Sequence, residues 1–300
     1  MGRFEEGIGY GEKAQDMARL FQSDPYLYFK SLAGLGYVYW HKGNSRQTLE
    51  IGESILQYGQ RHSNVRSLVM GHTIMAFGRL GQGHMSSALE CCKKALQLTV
   101  DPLFAHLART QMGFLYALMG DFAKAEESLQ EVVDFGREFG AERVGTPAQI
   151  YLGAAYMAQG RMSQGLKLLE EAQRTCMENE RKSFSVHCEY VLGRVHAQMV
   201  ERSAPIGLSS IVRNIGFLAR SVPFAYRRAE NHFREAIEIA ESIGEKGMLG
   251  MSLLELGLLC RTMGKKQQAE QYVLKAVRFF EECENTVFLQ QAKDVLESLK

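Results

Sequence analysis

The residues of this 300-residue chain that could do chemistry are scattered rather than grouped. The run Gly7-Ile8-Gly9-Tyr10-Gly11-Glu12-Lys13 has the glycines and lysine of a phosphate loop. That loop, however, needs four residues between its first Gly and a Gly-Lys-Ser/Thr triplet, following a strand. Eight histidines (His41, His62, His72, His84, His106, His187, His196 and His232) show no H-E-x-x-H or comparable ligand spacing. Cys91, Cys92, Cys176, Cys188, Cys260 and Cys283 show no C-x-x-C pair, and a chain of this size needs no covalent staple. Cys91 and Cys92 are adjacent, so on a helix they point about 100° apart, which suits packing better than shared chemistry. The pairs Lys93-Lys94, Arg181-Lys182 and Arg227-Arg228 have carboxylates nearby and read as solvated faces. No nucleophile has a base at matching spacing. The chain is read as non-enzymatic, with no catalytic, metal-binding or cofactor-binding residue.

Composition narrows the remaining classes. Lys plus Arg number 35 against 34 Asp plus Glu, a formal charge of +1, so there is no field to gather a phosphate backbone, and nucleic acid is excluded as a partner. No apolar run approaches the roughly 20 residues of a membrane span. Glu5 and Glu6 follow Arg3 where a signal peptide would place an apolar stretch, so a cytoplasmic location is expected. Hydrophobic residues at 46% and charged residues at 23% place the chain among folded proteins able to bury a core.

What organises that core is a repeat. The segment MGFLYALMGDFAKAEESLQEVV, from Met112 to Val133, has the form small-x-x-Tyr-x-x-x-Gly-x-x-x-x-Ala. Its first small residue recurs as Gly36, Ala76, Gly113, Gly153, Gly193 and Gly257. The Gly seven places later recurs as Gly43, Gly83, Gly120, Gly160 and Gly264, and the next small residue as Thr48, Ala88, Ala125, Gly165 and Ala269. Two antiparallel helices packed about 8–10 Å apart tolerate only small residues where they cross. The central Gly ends the first helix in the left-handed conformation, and a polar residue such as Asp121 or Ser163 lets the second begin. Each hairpin then keeps an apolar face, such as Ala125, Leu129, Val132 and Val133, that only stacking can bury.

This form resembles the tetratricopeptide repeat, whose period is about 34 residues. Here the turn glycines up to Gly160 stand 40, 37 and 40 residues apart, which implies helices longer by about one turn. The resemblance implies an all-α, right-handed superhelical solenoid of about six hairpins over 26–61, 65–99, 102–139, 142–179, 183–243 and 246–283. A half repeat precedes them at 1–22, read as a turn glycine plus a second helix with Gly7, Gly11 and Ala14. The first helix of the fifth copy, placed by Gly193, and its second, placed by Ala229, leave an insertion at 201–224. Phe288, Ala292, Val295, Leu296 and Leu299 form one apolar face, so 286–299 reads as a capping helix. The uncapped start reads as that of a fragment of a longer polypeptide.

The usual ligand surface of this architecture is the groove lined by the first helices. Positions one and four beyond each small residue fill it with Tyr37, Trp40, Phe77, Leu80, Phe114 and Met157, and the later copies add Tyr190, Arg194 and Arg261. The alternative placement for these residues is the core of the lengthened helices. Such a strip suits an apolar helix or peptide. The run Asn214–Phe224, then Ala229-Glu230-Asn231-His232-Phe233, Gly257-Leu258-Leu259 and Phe280-Glu281-Glu282-Cys283, is similar to the C-terminal repeats of large bacterial signalling proteins. Those proteins join a class III adenylate or guanylate cyclase domain to an AAA-type ATPase. The resemblance implies a regulatory module whose partner is a protein or peptide, including domains of its own polypeptide. The alternative is a solenoid that senses a small-molecule effector for attached ATPase or cyclase domains.

Overall fold

Five of the hairpins turn at a glycine, and two of those turns add a side-chain cap. At Gly43, Gly83, Gly120, Gly160 and Gly264 the backbone turns through φ between 71° and 82°, a region glycine enters without strain. Asn44 and Asp121 then accept the backbone N–H groups of Gln47 and Lys124, capping the helices that follow. Ser163 does not play this part: the helix begins at Met162, and no side chain caps it.

The computed structural model describes residues 4–20, 25–201, 214 and 221–299. Among these it places 14 α-helices, one 3-10 turn and no strand. They are α1 (Phe4–Leu20), α2 (Pro25–His41), α3 (Ser45–Arg61), α4 (Val65–Gly81), α5 (Met85–Leu98), α6 (Pro102–Leu118), α7 (Phe122–Phe139), α8 (Glu142–Ala158), α9 (Met162–Glu178), α10 (Lys182–Glu201), α11 (Ala225–Ile243), α12 (Lys246–Thr262), α13 (Lys266–Glu282) and α14 (Thr286–Ser298). The molecule is an all-α solenoid of tetratricopeptide-like hairpins with a terminal capping helix. Most of the insertion read at 201–224 lies outside the described residues. Of that stretch, Asn214 is buried and donates from Nδ2 to the Gly160 carbonyl at 2.8 Å.

The two helices of a hairpin are buried differently. In α8, Val144, Ala148, Ile150, Tyr151, Leu152 and Ala155 cover most of the circumference, because neighbours pack on both sides. In α9 the buried residues Met162, Gly165, Leu168, Leu169, Ala172 and Cys176 follow one stripe. Full burial of a leucine such as Leu129 or Leu169 stabilises the fold by about 1.5–3 kcal/mol. The crossing points are as tight as the small residues imply. A Cβ on Gly153 would lie 3.0 Å from the Gly165 carbonyl oxygen, and one on Gly113 would overlap Leu129 rather than Ala125. Five cysteines are buried, Cys91 is half-buried, and all six are free thiols.

At the start of the chain Gly7 and Gly11 lie inside α1 and let it approach Val38 and Leu35 of α2.

The stack closes on itself. The turn after α2 lies so close to the turn after α13 that a Cβ on Gly43 would overlap Cys283 Sγ, and in the turn after α4 one on Gly83 would overlap Val287 of α14. Arg46 donates to Glu284 across this seam at 2.8 Å, and His41 meets Glu245 at 2.9 Å. One full circuit of the superhelix thus brings its two ends together around a central space.

Candidate binding chamber

The first helix of every hairpin presents one face to that space. Tyr37, Trp40 and His41 of α2 lie at helical spacing, and so do Tyr151 and Ala154 of α8 and His187, Tyr190 and Arg194 of α10. Three cavities result. The largest, about 140 Å³, is bordered by Phe114, Tyr151, Tyr190, Arg194, Met248 and Met251. A second, about 70 Å³, lies between Trp40, His41, Ser45, Leu80 and Glu245. A third, also about 70 Å³, lies between Tyr37, Trp40, Phe77 and Tyr151. Phe114 and His187 border all three, so the cavities are compartments of one chamber.

Of the nine residues read from the sequence as a groove, seven line this chamber: Tyr37, Trp40, Phe77, Leu80, Phe114, Tyr190 and Arg194. They are also core. Trp40 and Phe77 pack with ring centroids 4.3 Å apart, and Phe77 and Leu80 are buried. Met157 turns instead into the gap beside Gly165, where the other hairpins carry Ala or Thr. Arg261 is exposed and donates to Ser298 Oγ of the capping helix at 2.9 Å. The space is also narrower than the groove expected for an apolar helix.

At its centre is a polar network that the sequence reading passed over. Glu245 precedes α12 and does not cap it. Its Oε1 lies 2.9 Å from His41 Nδ1 and 3.3 Å from His187 Nε2, and His187 Nδ1 lies 2.7 Å from the Tyr151 hydroxyl. All four residues are buried. A carboxylate only accepts, so each imidazole nitrogen facing Glu245 carries a proton and donates it. Burial alone would raise the Glu245 carboxyl, but the two imidazoles outweigh burial and hold it below the usual carboxylate range. Tyr151 is pushed the other way, by burial first and then by nearby phenol and carboxylate charge, so it stays a phenol and donates to His187 Nδ1. Tyr190 is pushed up to about 12 by burial and by Glu255, and Glu255 accepts from Arg194 at 2.6 Å.

His187 could have been found by stepping one helical turn back from Tyr190, and His41 by stepping one turn on from Tyr37. Nothing local marks Glu245. Among the described residues no group of three or more His, Cys, Asp or Glu side chains is arranged to hold a metal, and no helix is long and apolar enough to cross a membrane.

Comparison with known proteins agrees with the architecture. The tetratricopeptide repeat family matches residues 252–283. A Rap protein solved in complex with competence and sporulation factor superposes with a TM-score of 0.55 at 16% identity, over 89% of this chain and 72% of that one. BtubC (BKLC) from P. vanneervenii gives 0.43 at 18% identity, over 81% and 90% of the two chains. The Cut9–Hcn1 hetero-tetramer of APC/C gives 0.49 at 13% identity, over 99% and 53%. No curated protein sequence matches. The chain is a helical repeat protein of the tetratricopeptide type.

Proposed function

We propose that this protein is a non-catalytic interaction and regulatory module that holds a short peptide segment in its central chamber. The observation that carries this reading is the convergence of aromatic side chains from α2, α4, α6, α8 and α10 on one space that also contains a buried polar network. Apolar walls with a few fixed polar groups are the usual make-up of a ligand site. The structural neighbour solved with competence and sporulation factor supports the same use of the fold. The small volumes of the compartments favour a second reading, in which the ligand is a small-molecule effector. The resemblance of the last third to cyclase and ATPase regulators supports a role in which occupancy is passed to attached catalytic domains. A coding frame upstream of Met1 that encodes neither kind of domain would remove that part of the reading.

The chamber itself is tested with Ala154→Phe, which places a ring in the largest compartment without touching the hairpin crossings. A library of short peptides and metabolites is screened by thermal shift against both forms. Ligands of the wild-type chain are expected to bind the variant at least ten-fold more weakly. Equal binding by the two forms would show that the chamber is not the site.

A further inference from the structure

Hydrogen-bond accounting around Glu245 leaves a specific deficit. His41 and His187 both donate to Oε1, Tyr151 donates to His187, and Glu245 Oε2 has no partner among the described residues. His41 Nε2 and Ser45 Oγ, beside the same compartment, also have none. The compartment thus presents one unsatisfied carboxylate oxygen, Glu245 Oε2, with the unpartnered His41 Nε2 and Ser45 Oγ beside it. Trp40 and Phe114 supply ring faces beside it, and aromatic faces attract cations. An acceptor set with one negative charge and aromatic walls calls for a positively charged donor.

We propose that the chamber selects ligands carrying an ammonium or guanidinium group, which donates to Glu245 Oε2 between Trp40 and Phe114. This deepens the proposed function and rests on it. The apolar remainder of the ligand extends into the larger compartment along Tyr151, Met248 and Met251. The cationic group belongs either to a small amine or to a basic residue of a peptide, and the recognition chemistry is the same for both.

Trp40 is the only tryptophan of the chain and borders two compartments, so its emission reports occupancy. The full chain is titrated with phenethylammonium and with neutral phenethyl alcohol. It is also titrated with a pair of short peptides that differ only in arginine against citrulline. The charged member of at least one pair is expected to bind ten-fold or more tightly than its neutral counterpart, and the pair that shows it identifies the source. Glu245→Gln is expected to erase the difference, with its fold checked by circular dichroism. The wild-type comparison decides the matter even if that variant does not fold. Equal binding of charged and neutral probes overturns the cation site and leaves the chamber reading standing. Charged and neutral probes that bind Ala154→Phe as tightly as the wild-type chain overturn both. Silence from every probe overturns the cation site, and the library screen then judges the chamber alone.

Discussion

Two buried glutamates, both beside histidines, have opposite fates. Glu189, where α10 meets α9 and α11, uses both oxygens: Oε2 accepts from His232 at 2.7 Å and Oε1 from Gln173 at 2.6 Å. Glu245 crowds two imidazoles onto one oxygen and leaves the other without a partner among the described residues, beside a cavity. A buried polar cluster with every atom matched acts as a joint of the scaffold, whereas one with acceptors left over is poised for something from outside. Each carboxylate accepts from two donors. Their distribution over the two oxygens separates the sites.

The strongest way to break this contrast is to remove each carboxylate. Glu189→Ala strands His232 and Gln173 and is expected to cost about 3 kcal/mol of folding free energy, read as a lower urea midpoint. Glu245→Gln keeps an acceptor for the imidazoles and should cost about 1 kcal/mol. Similar losses would mean that both sites are scaffold.

Acid sharpens the contrast. His196, stacked 5.6 Å from His232, has its pKa lowered to about 4 by burial and by the charges of His232 and Arg228. The unfolded chain takes up this proton near pH 6.5, while the folded chain refuses it until about 4. Stability should therefore fall as pH drops through that window, by up to about 3 kcal/mol. His72 and His106 act in the same direction, chiefly through burial, so His196→Gln is expected to shrink the loss rather than abolish it. Glu245 acts lower: its contribution is present above the unfolded carboxylate range and is lost progressively as pH falls from that range toward its lowered folded value. Thermal melts in steps between pH 7 and 3 would separate the two windows.

A smaller pair of substitutions isolates the seam beside Glu245. Gly43 and Gly120 share φ +78°, but a Cβ on Gly120 meets nothing within 4 Å, while one on Gly43 meets Cys283. Gly120→Ala should cost about 1 kcal/mol of left-handed strain. Gly43→Ala should cost about 2 kcal/mol by the same principle plus the clash, and should enlarge the radius of gyration in solution scattering at unchanged helicity. The smallest effect belongs to Arg46→Ala. Its ion pair with Glu284 is exposed by 69% and 53%, and its loss should shift the urea midpoint by no more than about 0.5 kcal/mol.

The sequence reading was most accurate where a single backbone position dictates the residue. The turn glycines and the small residues at the crossings follow from local geometry, and period and fold class follow from them. The face of each first helix was legible while hairpins were equivalent, and Met157 escaped the register because Gly165 opened a space that its thioether fills. Arg261 stands at the same register position but belongs to the last hairpin, where the capping helix is its neighbour. Glu245 was illegible for a different reason. Its partner His41 is 204 residues away, and no periodicity encodes a contact made only when the superhelix comes full circle.

That closure changes what kind of object the array is. In an open stack a disturbance in one hairpin is felt by its neighbours and then dies out. Here the first and last hairpins touch, so the small angles between successive hairpins must add to a fixed total. Any change in one of them, wherever it arises, reappears at the seam as a mismatch between Gly43 and Cys283 and between His41 and Glu245. The ring therefore works as an integrating lever: slight tilts spread over 300 residues are gathered at one narrow joint, and a push at that joint is shared among every hairpin.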